Sequence, residues 1–521
     1  MINERSKVEE KIVKKDIRDT WTNRTWWKVL KWLLVGAQAV TAVMLIVSLL
    51  QTNIISGPIL GLAIGGLALL LAINIVELLM RKRTAVAAQV LCAILSVLSI
   101  AASSFALTYT GAFNGFVGKV TERKPEMKEY SVIVANKSSY QGVNDLNQKN
   151  IGFLETDPKA GNAEQKLKEI VAFEASSYAD MDTLLGALSS TLSDAVVLES
   201  SRTDVLKESE KNPLADTRVI YTFEIELESA DVEIMKKAVT EEPFIVYISG
   251  SDSRHGVQAT ARSDVNIVAV VNPKEAKILL VSIPRDTYVQ LHGTVGLKDK
   301  LTHAGVYGIE MSKATIEDFL NVDINYTIKV SFDTVVKVVD QLDGIDINSD
   351  LAMELKAENG KVCKYVVGKQ HLDGDCALRF ARERKSYETG DRHRGENQQQ
   401  VITSIIDKMS SSRDYILKLP TILNIAADSF ETSLSREEIT DFIRLQLQKQ
   451  PKWQVKSIAV DGTGTMLPTY SMGANLPLYV MIPNEATVVE ARNQIEEYMT
   501  VTPVDNNAEN SADNTTGVDN T

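Results

Sequence analysis

Between Trp32 and Val76 the chain carries no charged residue, and from Thr84 to Gly118 it again carries none. A helix needs about 20 apolar residues to cross a bilayer. The first stretch is too long for one span, and Ser56-Gly57-Pro58 divides it. The spacing predicts three membrane helices, near 30–51, 57–79 and 85–109. Lys11, Lys14, Lys15, Arg18, Arg24, Lys28 and Lys31 precede the first, and Arg81-Lys82-Arg83 separates the second from the third. The connection around Gln51-Thr52-Asn53 is uncharged. Positive loops stay cytoplasmic, so an odd number of spans puts everything beyond about residue 110 outside the cell. The long tail and the three spans do not fit a cleavable leader. Trp26, Trp27 and Trp32 suit an interfacial belt.

The remaining length allows two further domains in the 521 residues. A net charge of −12 excludes a general nucleic-acid binder, so no specific nucleic-acid partner is expected. Membrane lipid is expected at the basic tail. The organisation read from composition is a basic cytoplasmic tail (1–29), three transmembrane helices (30–110), an accessory domain (111–240), a catalytic domain (241–502) and a disordered tail (503–521). Cys92 sits in an apolar run. Cys363 and Cys376 could pair or stay free, and no Cys/His spacing suits zinc.

In 128–240, strands near 130–134, 150–154 and 194–198 alternate with helices near 163–172 and 181–192. This is the pattern of a small open α/β sheet, either a spacer or a binding domain. From 241 the apolar runs 242–248, 265–271, 277–282 and 326–330 read as strands buried on both faces. Helices are expected at 312–320, 332–342, 397–409 and 435–447. The class is α/β, with an α/β/α sandwich as the larger domain.

Polar clusters gather at three strand ends. Asp252 and Arg254 follow the first strand, Arg262, Ser263 and Asp264 precede the second, and Arg285 and Asp286 follow the third. Crevices at strand ends are where open α/β sheets bind ligands. Paired carboxylates suit Mg²⁺ shared with phosphate oxygens, and arginine offers phosphate a two-pronged donor. A basic run, Arg379 to Lys385 with Arg392 and Arg394 beyond, must face solvent or meet an anion. On a helix Arg382 and Arg384 would diverge; if the chain turns extended near Ala381 they face the same way.

Asp252-Ser253-Arg254, Arg262-Ser263-Asp264, Ser282-Ile283-Pro284-Arg285-Asp286 and Lys300-Leu301-Thr302-His303-Ala304 recur in order with Gly344-Ile345-Asp346 and Leu372-Asp373-Gly374. Phe380-Ala381-Arg382-Glu383-Arg384, Gly390-Asp391-Arg392 and Gln398-Gln399 complete the series. Residues 243–410 thereby resemble the LytR-CpsA-Psr family of cell-wall assembly proteins. The three-helix anchor and accessory domain look like its capsule-associated branch.

The resemblance implies a Mg²⁺-dependent (or Mn²⁺-dependent) phosphotransferase. It would move a glycopolymer, capsular polysaccharide in this branch, from undecaprenyl pyrophosphate to the C6 hydroxyl of N-acetylmuramic acid in peptidoglycan. Capsule synthesis or export proteins are further expected partners. By position, Asp252 and Asp264 correspond to metal ligands, and Arg285, Arg382 and Arg384 to a pyrophosphate clamp. Arg262, Arg254, Lys300, Arg392, Arg394 and Gln398 line the site. Some relatives have arginine where this chain has Asn397. Asp286 is the catalytic acid–base candidate, with Asp391 as the alternative. A polyprenyl tail needs an apolar groove, for which Leu301, Val306, Ile316, Phe319, Val330, Phe332, Val335 and Val338 are candidates. The competing readings are a pyrophosphate hydrolase that recycles the lipid carrier and a membrane-bound regulator.

Overall fold

The computed structural model describes residues 24–55, 57–80, 86–121, 126–208, 212–227, 237–251, 261–412 and 430–501, with 415, 418, 422 and 424. The basic tail up to residue 23, Arg81-Lys82-Arg83, Asp252, Arg254 and the tail beyond 501 lie outside them. The chain divides into two units. One holds residues 1–119, 416–427 and 435–450, and the other holds the rest.

In the first unit, helices Thr25–Thr52, Gly57–Leu79 and Val86–Thr121 are each long and apolar enough to span a membrane. The third runs about three turns past the predicted end. Polar side chains tie the three together, as suits helices with no solvent-driven reason to pack. Gln38 Oε1 accepts from Asn74 Nδ2 at 2.9 Å and from Ser96 Oγ at 3.1 Å. Trp27, expected at the lipid interface, is instead buried and donates to Gln89 Oε1 at 3.1 Å. The helix Arg436–Lys449 belongs to this unit. Its Arg436 donates to Asn114 Oδ1 at 2.9 Å, and its Arg444 reaches the Asn53 carbonyl. Its apolar pattern made it look like part of the catalytic sandwich.

The second unit carries two sheets. The accessory sheet is formed by β1 (Glu126–Ala135), β2 (Asn150–Leu154), β3 (Glu174–Tyr178), β4 (Ala195–Glu199) and β5 (Thr217–Leu227), in the order β3-β2-β4-β1-β5. Helices Ala160–Lys168, Met181–Ser189 and Ser200–Glu208 accompany it. β3 and β5, polar and alternating, were not expected from the sequence.

The larger sheet contains β6 (Phe244–Ser251), β7 (Val265–Asn272) and β8 (Lys277–Ser282). After a small pair, β9 (Tyr288–Val289) with β10 (Asp299–Lys300), comes β11 (Tyr326–Ser331). Two hairpin-like pairs follow: β12 (Ile345–Ser349) with β15 (Gly368–Leu372), and β13 (Met353–Lys356) with β14 (Val362–Tyr365). β16 (Phe430–Thr432) and β17 (Gln454–Ala459) complete the sheet in the order β16-β11-β6-β7-β8-β17. Last comes the hairpin of β18 (Gly462–Thr469) and β19 (Gly473–Pro483).

The large sheet is mixed. β6 and β8 are both antiparallel to β7, whereas β11 runs parallel to β6 and β17 parallel to β8. The carboxyl ends of β6, β8, β11 and β17 therefore meet the amino end of β7 at one edge. Helices Ile309–Leu320 and Glu485–Met499 bury Ile316, Leu320, Val488 and Ile495 against Tyr247, Val268, Leu279 and Val281. On the opposite face, helices Phe332–Gln341, Gly374–Ala381 and Asp391–Ser411 share a second core around Val339, Ala377, Phe380 and Val401. Cys363 and Cys376 form a disulfide with Cα atoms 5.5 Å apart, joining β14 to the helix Gly374–Ala381.

Candidate active site at the strand ends

The edge where four strands terminate gathers the charged motifs. The Asp264 N–H donates to the Gly250 carbonyl at 2.8 Å, which fixes the carboxylate at the mouth of β7. Arg285, just past β8, donates Nη1–H to Asp264 Oδ1 at 2.8 Å. Its Nε lies 3.9 Å from Asp286 and 4.0 Å from Asp391. One guanidinium thus sits among three carboxylates. Lys300 Nζ closes on Asp286 Oδ1 at 2.6 Å, and Arg394 on Asp391 Oδ1 at 2.5 Å.

Gly395 lets the helix Asp391–Ser411 approach this edge. A Cβ there would come within 2.7 Å of Ser282 Oγ at the end of β8. The close approach places Asp391, Arg394 and Gln398 with Asp264 and Arg285 around one recess. Deeper in the same helix, Gln399 donates to the carbonyls of Leu280 and Ile458, at 3.0 and 2.7 Å, and so locks it to β8 and β17. Arg392 leans outward to Asp461 at 2.7 Å. Asn397, buried, donates to the Phe380 carbonyl at 3.1 Å and holds the end of the preceding helix.

The carboxylates differ electrostatically. Burial acts to raise the Asp264 carboxyl, but the charge and hydrogen bond of Arg285, with Arg394 and Arg262 beyond, outweigh it and hold the group below its ordinary range. Asp391 goes the other way: burial pushes it up, and the nearby Asp286 charge adds to this against the pull of Arg394 and Arg285. Like charges crowded in one site separate the proton affinities of the groups.

The basic run splits. The helix Gly374–Ala381 ends at Ala381, but its C-cap Arg382 keeps a right-handed helical backbone (φ −98°, ψ −4°) and does not turn extended. Arg384 is exposed, and its charge reaches Asp391. Arg382 pairs with Glu358 and stacks 4.5 Å from the Phe332 ring centre. It borders a separate cavity of about 500 Å³, with Lys356, Glu358, Asn359, Val336 and Leu378 among the lining residues. Arg379 is spoken for by Glu383 and the Lys356 carbonyl. Arg262, half-buried, acts on Asp264 by its charge.

The groove candidates do not converge. Leu301, Ile316 and Phe319 belong to the core on one face of the sheet. Val335 packs against the core on the other face, where Val339 is wholly enclosed. Phe332, Val330 and Val338 are half-buried, and Val306 is buried beside Tyr307. Helical periodicity says that a helix has an apolar side, not which face of the sheet it covers.

Sequence reasoning also missed what anchors Lys300. Asp299, fully enclosed, accepts through Oδ1 from the Lys300 N–H at 2.8 Å and contacts His303 Nδ1 at 2.6 Å. Its Oδ2 accepts from the Ser471 N–H at 2.8 Å, and Ser471 Oγ lies 2.9 Å from the same His303 nitrogen. Ser and Asp meet one ring nitrogen rather than opposite ones, so this is not a relay of the serine-hydrolase kind. It is a clamp on the backbone that presents Lys300. Ser471, in the hairpin, lies 168 residues along the chain from His303.

Residues 206–485, more than half of the chain, match the model of the LytR_cpsA_psr family. The polyisoprenyl-teichoic acid–peptidoglycan teichoic acid transferase TagU of Bacillus mycoides is 35% identical over 206 residues, 39% of this chain and 65% of that protein. The chain thus spans a little under two thirds of that relative's length. TagU of Halalkalibacterium halodurans is 33% identical over 250 residues, 47% of this chain and 76% of that protein. TagV of Bacillus subtilis is 31% identical over 277 residues, covering 52% and 68%. The crystal structure of B. subtilis TagV aligns with 50% of this chain and 99% of that one, at 28% identity and a TM-score of 0.42. The chain belongs to the LytR-CpsA-Psr family.

Proposed function

We propose that the chain is a phosphotransferase that moves a glycopolymer from a polyprenyl pyrophosphate carrier to peptidoglycan. One observation carries the reading: Arg285, Lys300 and Arg394 converge with three carboxylates at the strand-end recess of a family whose relatives bear the names of such transferases. Phosphoryl transfer needs little covalent chemistry from the protein; it needs fixed positive charge around the phosphate oxygens.

In this reading the acceptor hydroxyl attacks the phosphorus next to the glycan. The bond from that phosphorus to the bridging oxygen breaks, and polyprenyl phosphate leaves. Arg285 and Lys300 face the accumulating charge, and the exposed Arg384 closes over it. Asp391, whose proton affinity burial has raised, takes the acceptor proton. Asp286 steers Lys300.

Among the described residues no group of three His, Cys, Asp or Glu side chains fits a metal. Mg²⁺ asks for less, one or two carboxylates plus phosphate oxygens. Asp264, kept ionised, suits that role together with Asp252, and the cation (or Mn²⁺) would neutralise phosphate charge. The prenyl tail is assigned to the side of Phe332, Val335 and Val336, where apolar side chains stay half-buried. The face of Leu301 and Ile316 is filled core.

We further infer that the catalytic domain lies outside the cell, held by the three apolar helices. The Cys363–Cys376 disulfide supports this, since such bonds persist in oxidising compartments. The polymer we infer is capsular polysaccharide, on the likeness of the anchor and accessory domain to the capsule-associated branch. The test is a reaction of the full chain in nanodiscs with purified lipid-linked polymer and peptidoglycan. Polymer joined covalently to the wall is the expected product. Free polymer phosphate alone would overturn the proposal in favour of a hydrolase.

A further inference from the structure

The hairpin β18–β19 forms a wall beside the recess. The Met481 N–H donates to the Asp286 carbonyl at 2.7 Å, and Asp461, at the foot of β18, receives Arg392 at 2.7 Å. From Leu476 to Val480 burial alternates along β19: Leu476, Leu478 and Val480 are buried, Pro477 and Tyr479 exposed. Tyr479 pairs across the hairpin with Met466, and both remain about half exposed, at 51% and 45%.

The Tyr479 ring does not stand up from the strand. A Cβ on Gly464 would fall 2.4 Å from its phenol oxygen and 2.7 and 2.8 Å from two of its ring carbons. The ring thus leans across the glycine, towards the end of the hairpin where Asp461 holds Arg392. Only a residue without a side chain allows that pose. The charges of Asp286 and Asp391 also reach the phenol.

We propose that Tyr479, laid over Gly464, is a stacking platform for a pyranose ring of the glycan bound at the recess. The claim deepens the transferase reading and rests on it for the identity of the glycan. A pyranose has an apolar C–H face and a polar rim. An aromatic ring with one face backed by the strand and the other in water matches the first, and the neighbouring charges match the second. The back of the hairpin is held firm, because Leu476 and Leu478 are part of the accessory domain's core. The sugar could be that of the acceptor or the first sugar of the donor, and the chemistry of recognition is the same.

The experiment uses the full chain in nanodiscs and two probes, read by saturation-transfer NMR. One is a peptidoglycan tetrasaccharide of alternating N-acetylglucosamine and N-acetylmuramic acid, and the other a short-prenyl pyrophosphoryl N-acetylglucosamine. Tyr479→Ala is expected to weaken at least one about tenfold, what removing roughly 50 Å² of apolar contact from water contributes. Tyr479→Phe keeps binding within about twofold, and Gly464→Val, which lifts the ring, mimics the alanine variant. The probe that weakens names the sugar. Unchanged binding in Tyr479→Ala, equal loss in Tyr479→Phe, or no binding of either probe by the unaltered chain overturns the platform. Transfer is measured in parallel. Normal transfer by Tyr479→Ala sinks the platform and leaves the transferase standing, whereas Tyr479-dependent binding without any transfer does the reverse.

Discussion

Two places in the second unit bring arginine, lysine and carboxylates together, and they are built to opposite ends. In the accessory domain Lys128 and Glu199 pair at 2.9 Å with side chains 2% and 1% exposed. Arg202, also buried, donates to the Tyr307 hydroxyl at 2.9 Å. At the strand-end recess Arg285 and Asp264 pair at 2.8 Å, with 15% and 18% of each side chain open to water. The first cluster is sealed and can accept nothing. The second is open, and beyond it Arg384 is exposed where an anion can approach. Similar residue types make a strut in one place and a receptor in the other. Access to solvent makes the difference.

The sharpest way to break this contrast is Arg285→Ala. Transfer should fall on the order of 10³-fold, the scale at which fixed transition-state charge acts, with thermal stability measured by calorimetry lowered only by the modest contribution of the ion pair with Asp264. A variant that unfolds instead would mean that Arg285 is a strut as well. The sealed cluster should answer in the opposite currency. Glu199→Ala takes from buried Lys128 its ion-pair partner and from Arg202 one of the two carboxylates whose charge reaches it, and should cost about 3–5 kcal/mol in denaturant unfolding. Transfer per folded molecule should stay near normal, and loss of transfer at unchanged stability would reverse the assignment.

A smaller loss, about 2–3 kcal/mol by loop-closure entropy, is expected when Cys363 and Cys376 are both replaced by serine. Reductant should reproduce it in the unaltered chain, and a reductant-insensitive melting curve would contradict the bond. The smallest effect concerns pH. Asp264 is held below its ordinary range when folded, so it contributes stability above the unfolded carboxyl value of about 3.9. That contribution is lost as pH falls through the folded value. The melting deficit of Asp264→Asn should therefore be larger at pH 7 than at pH 3. An equal deficit at both would show that the Arg285 pairing does not hold the carboxylate ionised.

Much of this was legible in the sequence, and the exceptions have physical causes. β6, β7 and β8 are near-continuous runs of Val, Ile and Leu, and such runs have few readings other than a strand covered on both faces. The polar motifs then fell at strand ends by simple adjacency, which is how Asp264, Arg285 and Asp286 could be grouped, whereas Lys300 entered only through the family resemblance. β17 and the hairpin β18–β19 escaped notice because their residues alternate or are half-exposed, rich in Gly and Thr. The clamp on Lys300 also escaped, since Ser471 meets His303 only through the fold. The apolar groove was misjudged because Leu301 and Val335 share a composition but sit under opposite faces of one sheet.

The accessory domain's hold on Leu476 and Leu478 has one more consequence. Composition suggests scissors at residue 240, with a catalytic module on one side and an appendage on the other. Yet the appendage is the splint for a hairpin drawn from the far end of the chain, fastened also where Asn475 reaches Asp182 at 2.6 Å. A fragment cut at 240 would carry every motif residue and still bare the oily back of the wall that faces the recess. Expression trials that begin there should give a protein that sticks to itself, while those that begin before β1 should not.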